Sequence, residues 1–325
     1  MSGQQLPSPI DFDSAALQTG ATVTEVFQQL INGLALGAIY GLIALGYTMV
    51  YGVLRFINFA HGDVFMLGAF AGYYFAPLVN RFLPAQSYFG GALVLVLAMA
   101  ACALIGMLIE FLAYRPLRNR PKLTVLITAI GVSLFIEYIG QHSAVFGAAP
   151  RKFPDLIPAT TWHVGGLVIA SSQVIVLVTT LILLIALRFI VQKTRVGTAM
   201  RAVSFNEQAA VLMGVNINRI ISFTFGLGSA LAAAGGILYA MNYSSIEPLM
   251  GVQTGLKAFV AAVVGGIGNL PGAALGGLIL GIVETFAGGI PGLSNYRDGI
   301  AFAILILILL FRPSGLLGKP QVEKV

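Results

Sequence analysis

Residues 256–287 read LKAFVAAVVGGIGNLPGAALGGLILGIVETFA. As one straight helix this stretch would measure about 48 Å, well beyond a hydrocarbon core of about 30 Å. Its interior carries Gly265-Gly266-Ile267-Gly268-Asn269-Leu270-Pro271-Gly272, and clustered glycine and proline mark a turn or a break. The stretch is therefore a helical hairpin or a single broken helix. The number of membrane crossings depends on which.

Working outward, apolar blocks of spanning length occupy residues 26–54, 56–79, 88–112, 123–147, 168–192 and 219–241. A shorter block, 299–311, reaches full depth with Asn295 and Tyr296 on one side and a snorkelling Arg312 on the other. Composition agrees, since 58% of the 325 residues are apolar and 9% are charged, against about 25% charged in a soluble domain. A mean hydropathy of +0.90 excludes a soluble enzyme on a single anchor. The fold class is all-α, a polytopic transmembrane bundle of about eight or nine spans.

Charge sets the orientation. The first 25 residues hold Asp11, Asp13 and Glu25 with no Lys or Arg, the wrong sign for the start of a secretory signal, so this segment is expected to stay on the protein. Arg55, the run Arg115 to Lys122, the set from Arg188 to Arg219, and Arg312, Lys319 and Lys324 hold 13 of the 18 basic residues. All four groups become cytoplasmic if the amino terminus lies outside, 256–287 is a hairpin and the chain crosses nine times. A broken helix would leave the tail outside. The expected organisation is an acidic extracytoplasmic extension (1–25), a transmembrane domain (26–312) with a cytoplasmic loop at about 193–218, and a cytoplasmic tail (313–325). The basic residues thus report topology, and a nucleic-acid partner is excluded despite a pI near 9.5.

Glycines recur at four-residue spacing: Gly33, Gly37 and Gly41, Gly68 and Gly72, Gly272 and Gly276, Gly277 and Gly281. That spacing lines small residues along one helix face, where backbones pack closely in lipid. A glycine-lined pathway or hinge is the alternative.

Ionisable residues at membrane depth are costly and carry a functional hypothesis by default; they are His61, Asp63, Glu110, Glu137, His142, Lys257 and Glu284. In Asn58-Phe59-Ala60-His61-Gly62-Asp63, a break at Gly62 would expose backbone dipoles to a cavity, as in broken transporter helices. Otherwise His61 and Asp63 cap a helix start just inside the interface. Ser133 and Glu137 share a helix face and form a polar lining, a proton site or an interhelical hydrogen bond. Asn58, His61, Asp63, Ser133 and Glu137 are the pathway candidates, and Glu110, five residues before Arg115, reads as structural. There is no HExxH, GxSxG or GxxxxGK[ST]. Cys102 is the one cysteine, so no catalytic residue, metal site or cofactor is expected, and energy for uphill transport must come from an ion gradient or a separate ATPase.

The longest basic gap contains Val196 to Asn216 and reads as a short helix capped by Asn206 and ended by Gly214 in a left-handed conformation. It suits docking into a partner's groove, or else lies on headgroups.

Residues 207–214, Glu207-Gln208-Ala209-Ala210-Val211-Leu212-Met213-Gly214, resemble the Glu-Ala-Ala then Gly loop through which permeases of binding-protein-dependent ABC importers contact their ATPases, with one extra Gln after Glu207. Gly46-Tyr47-Thr48-Met49-Val50-Tyr51-Gly52, Ile57-Asn58-Phe59-Ala60-His61-Gly62-Asp63, Tyr114-Arg115-Pro116-Leu117-Arg118, the run from Gly265 to Ala273, and Arg312-Pro313-Ser314-Gly315-Leu316-Leu317-Gly318 are similar to LivH-type permeases of branched-chain amino acid uptake. The resemblance covers about residues 26–325; the acidic extension departs from it. It implies an inner-membrane importer subunit working with a homologous second permease, two ATPase subunits and a periplasmic binding protein. It also implies that Glu207, Ala209, Ala210 and Gly214 contact the ATPase. Urea and short-amide permeases carry a similar Asn-Phe-Ala-His-Gly stretch, so their substrates are the alternative, with a gradient-driven transporter further off.

Overall fold

At several helices a polar capping residue at the edge of the apolar run sets where the helix begins. The computed structural model describes residues 12–118, 120–290 and 292–318. It contains α1 (Phe12–Leu54), α2 (His61–Val79), α3 (Tyr88–Ile109), α4 (Lys122–Gln141), α5 (Ser171–Lys193), α6 (Arg195–Phe205), α7 (Glu207–Leu212), α8 (Ile217–Tyr243), α9 (Met250–Gly265), α10 (Leu270–Gly289) and α11 (Arg297–Phe311). Ser87 caps α3 by accepting from the Gly90 N–H at 3.0 Å, and Thr194 caps α6 through Gly197 at 3.1 Å. Asn216 caps α8 through Arg219 at 3.1 Å, and Asn269 caps α10 through Gly272 at 3.1 Å. Each satisfies an amide that the helix itself leaves unpaired.

The stretch at 256–287 is a hairpin. Its turn passes through Gly266 (φ +106) and Gly268 (φ +92), backbone conformations that favour glycine. A Cβ on Gly265 would overlap the Gly272 carbonyl, and one on Gly276 the Ala261 carbonyl, so α9 and α10 run antiparallel in near-backbone contact. Eight of the described helices are long and apolar enough to cross a membrane; α9, with 16 residues, is a shorter apolar helix.

Glycine registers fix the directions of the other helices. Added Cβ atoms on Gly33 and Gly37 would each lie 2.7 Å from a Cα of α10, Ile282 and Leu278 respectively. Gly277 and Gly281 fit the reciprocal gaps in α1, so the two helices are antiparallel and interlocked. Gly68 meets Ala233 and Gly72 meets Ile237, which makes α2 and α8 parallel. Alternation through α3, α4 and α5 then returns the chain for α8 in the required direction. With α9 counted, the path makes nine crossings, and the start of α1 and the end of α11 lie on opposite faces. The face holding the α9–α10 turn also holds Arg55, Arg115 to Lys122, α6, α7 and Arg312, and is called here the basic face.

Packing is layered. The most apolar window of α1 is 94% buried, whereas those of α5 and α11 are 11% and 6% buried. The inner helices α1, α2, α8 and α9 carry the core around Ile39, Leu42, Phe65 and Ile237. A buried methionine, Met66, and the fully buried Cys102 lie in the same core.

Four short strands, unforeseen in the all-α reading, occupy the face opposite the basic one: β1 (Arg151–Lys152), β2 (Thr161–Val164), β3 (Leu167–Ala170) and β4 (Ser245–Ile246). The β1–β4 pair is antiparallel with Arg151 opposite Ile246. The β2–β3 hairpin turns on Gly165 and Gly166, both with positive φ, and the Gln28 amide of α1 grips it by exchanging two 2.9 Å hydrogen bonds with Val168.

Other boundaries shift. The block at 56–79 becomes helical only at His61, after Arg55 turns the chain with φ 55. The block at 123–147 ends as helix at Gln141. Of the acidic extension, residues 1–11 lie outside the described residues and 12–25 are the opening turns of α1. Of the tail, 319–325 lie outside the described residues, and Leu316 and Leu317 donate to the Val264 and Gly265 carbonyls, which clamps the tail onto the end of α9.

Candidate functional site

A helix places residues four apart on one face, and α4 uses this to aim Ser133 and Glu137 at the first turn of α2. The Ser133 hydroxyl lies 2.5 Å from Asp63 Oδ2 and 3.2 Å from Glu137 Oε1, so one hydroxyl spans two carboxyl groups. Asp63 is buried and Glu137 is half-buried. None of the salt bridges among the described residues involves either. Asn58 is held separately, its Oδ1 accepting from the Tyr114 hydroxyl at 2.6 Å.

These groups lie between two clefts. Glu137 lines a cleft of about 580 Å³ on the face opposite the basic one, with Tyr239, Tyr243, Gln253 and Thr254. Tyr114 lines a cleft of about 540 Å³ on the basic face. Two hydrogen-bonded groups, Glu137–Ser133–Asp63 beside the first cleft and Asn58–Tyr114 beside the second, thus lie between the clefts, joined by the chain from Asn58 to Asp63. Their narrowest described contact is the 2.5 Å approach of Ser133 to Asp63.

His61 faces elsewhere. Its ring is buried in the bundle, edge-on to Tyr47 at 4.6 Å, and its Nε2 has no hydrogen-bond partner among the described residues. Gly46 of α1 leaves the room: a Cβ there would overlap the His61 ring at Nε2 and lie 2.6 Å from its Cε1. Spacing of two therefore sends His61 to α1 and Asp63 to α4.

The basic loop forms two helices. Asn206 caps α7 by accepting from the Ala209 N–H at 3.0 Å, and Gly214 follows it with φ +81. Its predecessor α6 is tied to α1, because Ser204 donates to the Gly52 carbonyl and Arg55 donates to the Ser204 carbonyl at 3.1 Å. Glu207, Ala209 and Gly214 are exposed. Ala210, expected among the residues that contact the ATPase, is buried, and α7 packs against α6 and α8. Phe205, Leu212 and Met213 project instead, at 89%, 88% and 84% exposure. The sequence reading missed them by weighing the small residues; three large apolar side chains in a polar gap were the available signal.

The other intramembrane charges are internally satisfied. Glu110 is buried and takes hydrogen bonds from Arg118 at 2.7 Å and Ser222 at 2.5 Å, which agrees with a structural role. Lys257 of α9 lies 2.7 Å from both Glu284 of α10 and Asp298 of α11, and the Tyr40 hydroxyl donates to Glu284 at 2.8 Å. His142 is the C-cap residue of α4, its N–H donating to the Ile139 carbonyl, and its Nδ1 accepts from the Ala144 N–H beyond the helix end. Among the described residues, no group of three or more His, Cys, Asp or Glu side chains could hold a metal ion.

Residues 29–309 match the family described as the permease component of branched-chain amino acid transport systems. The chain is 42% identical over 306 residues to the high-affinity branched-chain amino acid transport system permease protein BraD of Pseudomonas aeruginosa, which covers 92% of this chain and 97% of that one. It is 40% identical over 309 residues to the permease protein LivH of Escherichia coli, with the same coverage. A probable branched-chain amino acid permease of Methanocaldococcus jannaschii is 31% identical, covering 85% of this chain and 88% of its own.

Proposed function

This chain belongs to the permease family of branched-chain amino acid transport systems, and from that premise we propose that it lines the route by which leucine, isoleucine and valine cross the inner membrane of a bacterial cell. It is a multi-pass membrane protein. In this reading it pairs with a homologous second permease, takes substrate from a periplasmic binding protein and is driven by two ATPase subunits. The basic face is cytoplasmic. ATP hydrolysis belongs to the partners, in keeping with a sequence that has no P-loop. The names of the relatives favour amino acids over urea or short amides.

The observation that carries the pathway is the set of polar groups between the two clefts, with Asp63 and Glu137 bridged by Ser133. A zwitterion needs an anionic partner for its ammonium group at depth, and two carboxyl groups without a salt bridge can provide one. For the substrate to pass, the Ser133–Asp63 contact must part. Helix α4 is the less enclosed side of that contact, with only 17% of its window buried, whereas α1 is locked to α10.

Coupling follows the covalent and hydrogen-bonded path from α7 to α6, through Ser204 to Gly52 and Arg55, and along residues 56–60 to Asp63. Glu207, Ala209 and Gly214 are the exposed residues of the loop that, with Phe205, Leu212 and Met213, meet the ATPase. Ala210 supports α7 from within. Reconstitution of the full assembly in liposomes tests the reading. Leucine uptake is expected only with ATP, the ATPase and the binding protein together, and the Asp63→Asn/Glu137→Gln pair should lower it at least tenfold, as loss of a charge-assisted contact predicts. Ion-gradient uptake by this chain alone would favour the gradient-driven transporter, and undiminished uptake by the pair would remove these residues from the pathway.

A further inference from the structure

The cleft on the basic face is more than a place where the positive-inside rule deposits charge. Arg55, Arg118, Arg120 and Lys122 converge on one cavity of about 540 Å³, opposed by Glu110 and Glu207. Glu110 is already neutralised, bound by Arg118 at 2.7 Å. Arg118 is oriented further by Asn218 at 2.8 Å, and Arg55 by the Ser204 carbonyl. Arg120 and Lys122 are exposed and enter no salt bridge among the described residues. The cleft therefore keeps a surplus of cations. Its remaining wall includes apolar side chains, among them Leu54, Phe56, Val125 and Ile221.

We propose that this cleft binds a phosphate group, held between the α3–α4 loop and the elbow where α6 meets α7. Guanidinium groups match the oxygens of a phosphate in geometry as well as charge, and basic pockets between helices at the cytoplasmic surface suit anionic headgroups. The elbow supplies Val203 to Glu207 to the cleft, so an occupant joins the loop that carries Arg120 to the helix pair that carries the exposed apolar residues. Occupancy thereby braces α7 from behind. The phosphate comes either from an anionic lipid, whose acyl chains would follow the apolar wall, or from a soluble anion.

The full chain, purified in a non-ionic detergent, is titrated separately with dioctanoyl phosphatidylglycerol, dioctanoyl phosphatidylcholine and inorganic phosphate, and the rise in unfolding midpoint is read as an apparent Kd. Phosphatidylglycerol is expected to stabilise and phosphatidylcholine not. A response to phosphatidylglycerol alone identifies the lipid headgroup as the source, and an equal response to inorganic phosphate identifies a soluble anion. Arg120→Gln/Lys122→Gln should weaken binding about thirtyfold, given the usual contribution of each cation near a charged surface. Arg120→Lys/Lys122→Arg, which keeps the charge, should stay within a few-fold. Arg188→Gln/Lys193→Gln removes the same charge from the exposed end of α5 and should bind as the unaltered chain does. No stabilisation by either anion would overturn the site. So would equal weakening by the α5 pair, because that is the signature of undirected surface charge.

Discussion

Leu212→Ala separates a docking surface from an idle one. Leu212 is 88% exposed at the end of α7, so truncating it removes almost no internal packing. The change deletes three carbons, worth about 2.4 kcal/mol if a partner buried them fully at about 0.8 kcal/mol each. Half burial in a groove gives about 1.2 kcal/mol, or about an eightfold weaker complex. Phe205→Ala should act alike, and the double variant should exceed tenfold without strict additivity. Ala210→Trp is the contrasting change: Ala210 is 3% exposed, so the indole overpacks the support of α7 and costs about 1–3 kcal/mol of local stability. The measurement is the affinity of purified ATPase for the permease in nanodiscs, beside the thermal midpoint of the permease alone. Leu212→Ala should lose affinity at an unchanged midpoint, and Ala210→Trp should lose both. Unaltered ATPase affinity in Leu212→Ala and Phe205→Ala would refute docking through this loop.

Gly46→Ala should destabilise by about 1–3 kcal/mol, because its Cβ would overlap the His61 ring at Nε2 and lie 3.0 Å from the Gly228 carbonyl; thermal melts should show partial rescue in Gly46→Ala/His61→Ala. Lys257→Met strands Glu284 and Asp298 and should cost about 3–5 kcal/mol. Lys257→Met/Glu284→Gln should recover part of that, and no recovery in the melt would count against the buried pair. In a Cys102→Ala background, Ala85→Cys should react with an impermeant maleimide from outside intact cells and Val211→Cys only after permeabilisation; labelling of both from outside would defeat the nine-crossing orientation.

The sequence was most informative where a local rule acts within a few residues. Asn206 and Gly214 bracket α7 because a cap and a left-handed glycine operate over one turn. The Gly265 to Gly272 run gave the hairpin or break, and the register of Gly265 against Gly272 resolved it. Four-residue spacing announced the glycine faces but not their mates. The share of Lys257 between Glu284 and Asp298, and the bond from Tyr114 to Asn58, depend on which helices become neighbours, and periodicity within one helix carries no such information. The burial of Ala210 was not legible for a related reason: a six-residue helix is too short for its pattern to reveal which side is covered. The strands β1 and β4 pair across a long separation in sequence and have two residues each, below what alternation can mark.

The interlock of α1 with α10 also sets a timetable for biosynthesis. Tyr40 and Glu284, which meet across this seam, are 244 residues apart. At about 5–20 residues per second, α1 waits roughly 12–50 s in the bilayer before its partner is synthesised. During that interval the grooves at Gly33, Gly37 and Gly41 stand open to lipid or to any other small-residue face nearby. Only when α10 arrives does its Gly277 and Gly281 face close them, so a ribosome that stalls before α10 leaves a chain whose central helix keeps its glycine face uncovered.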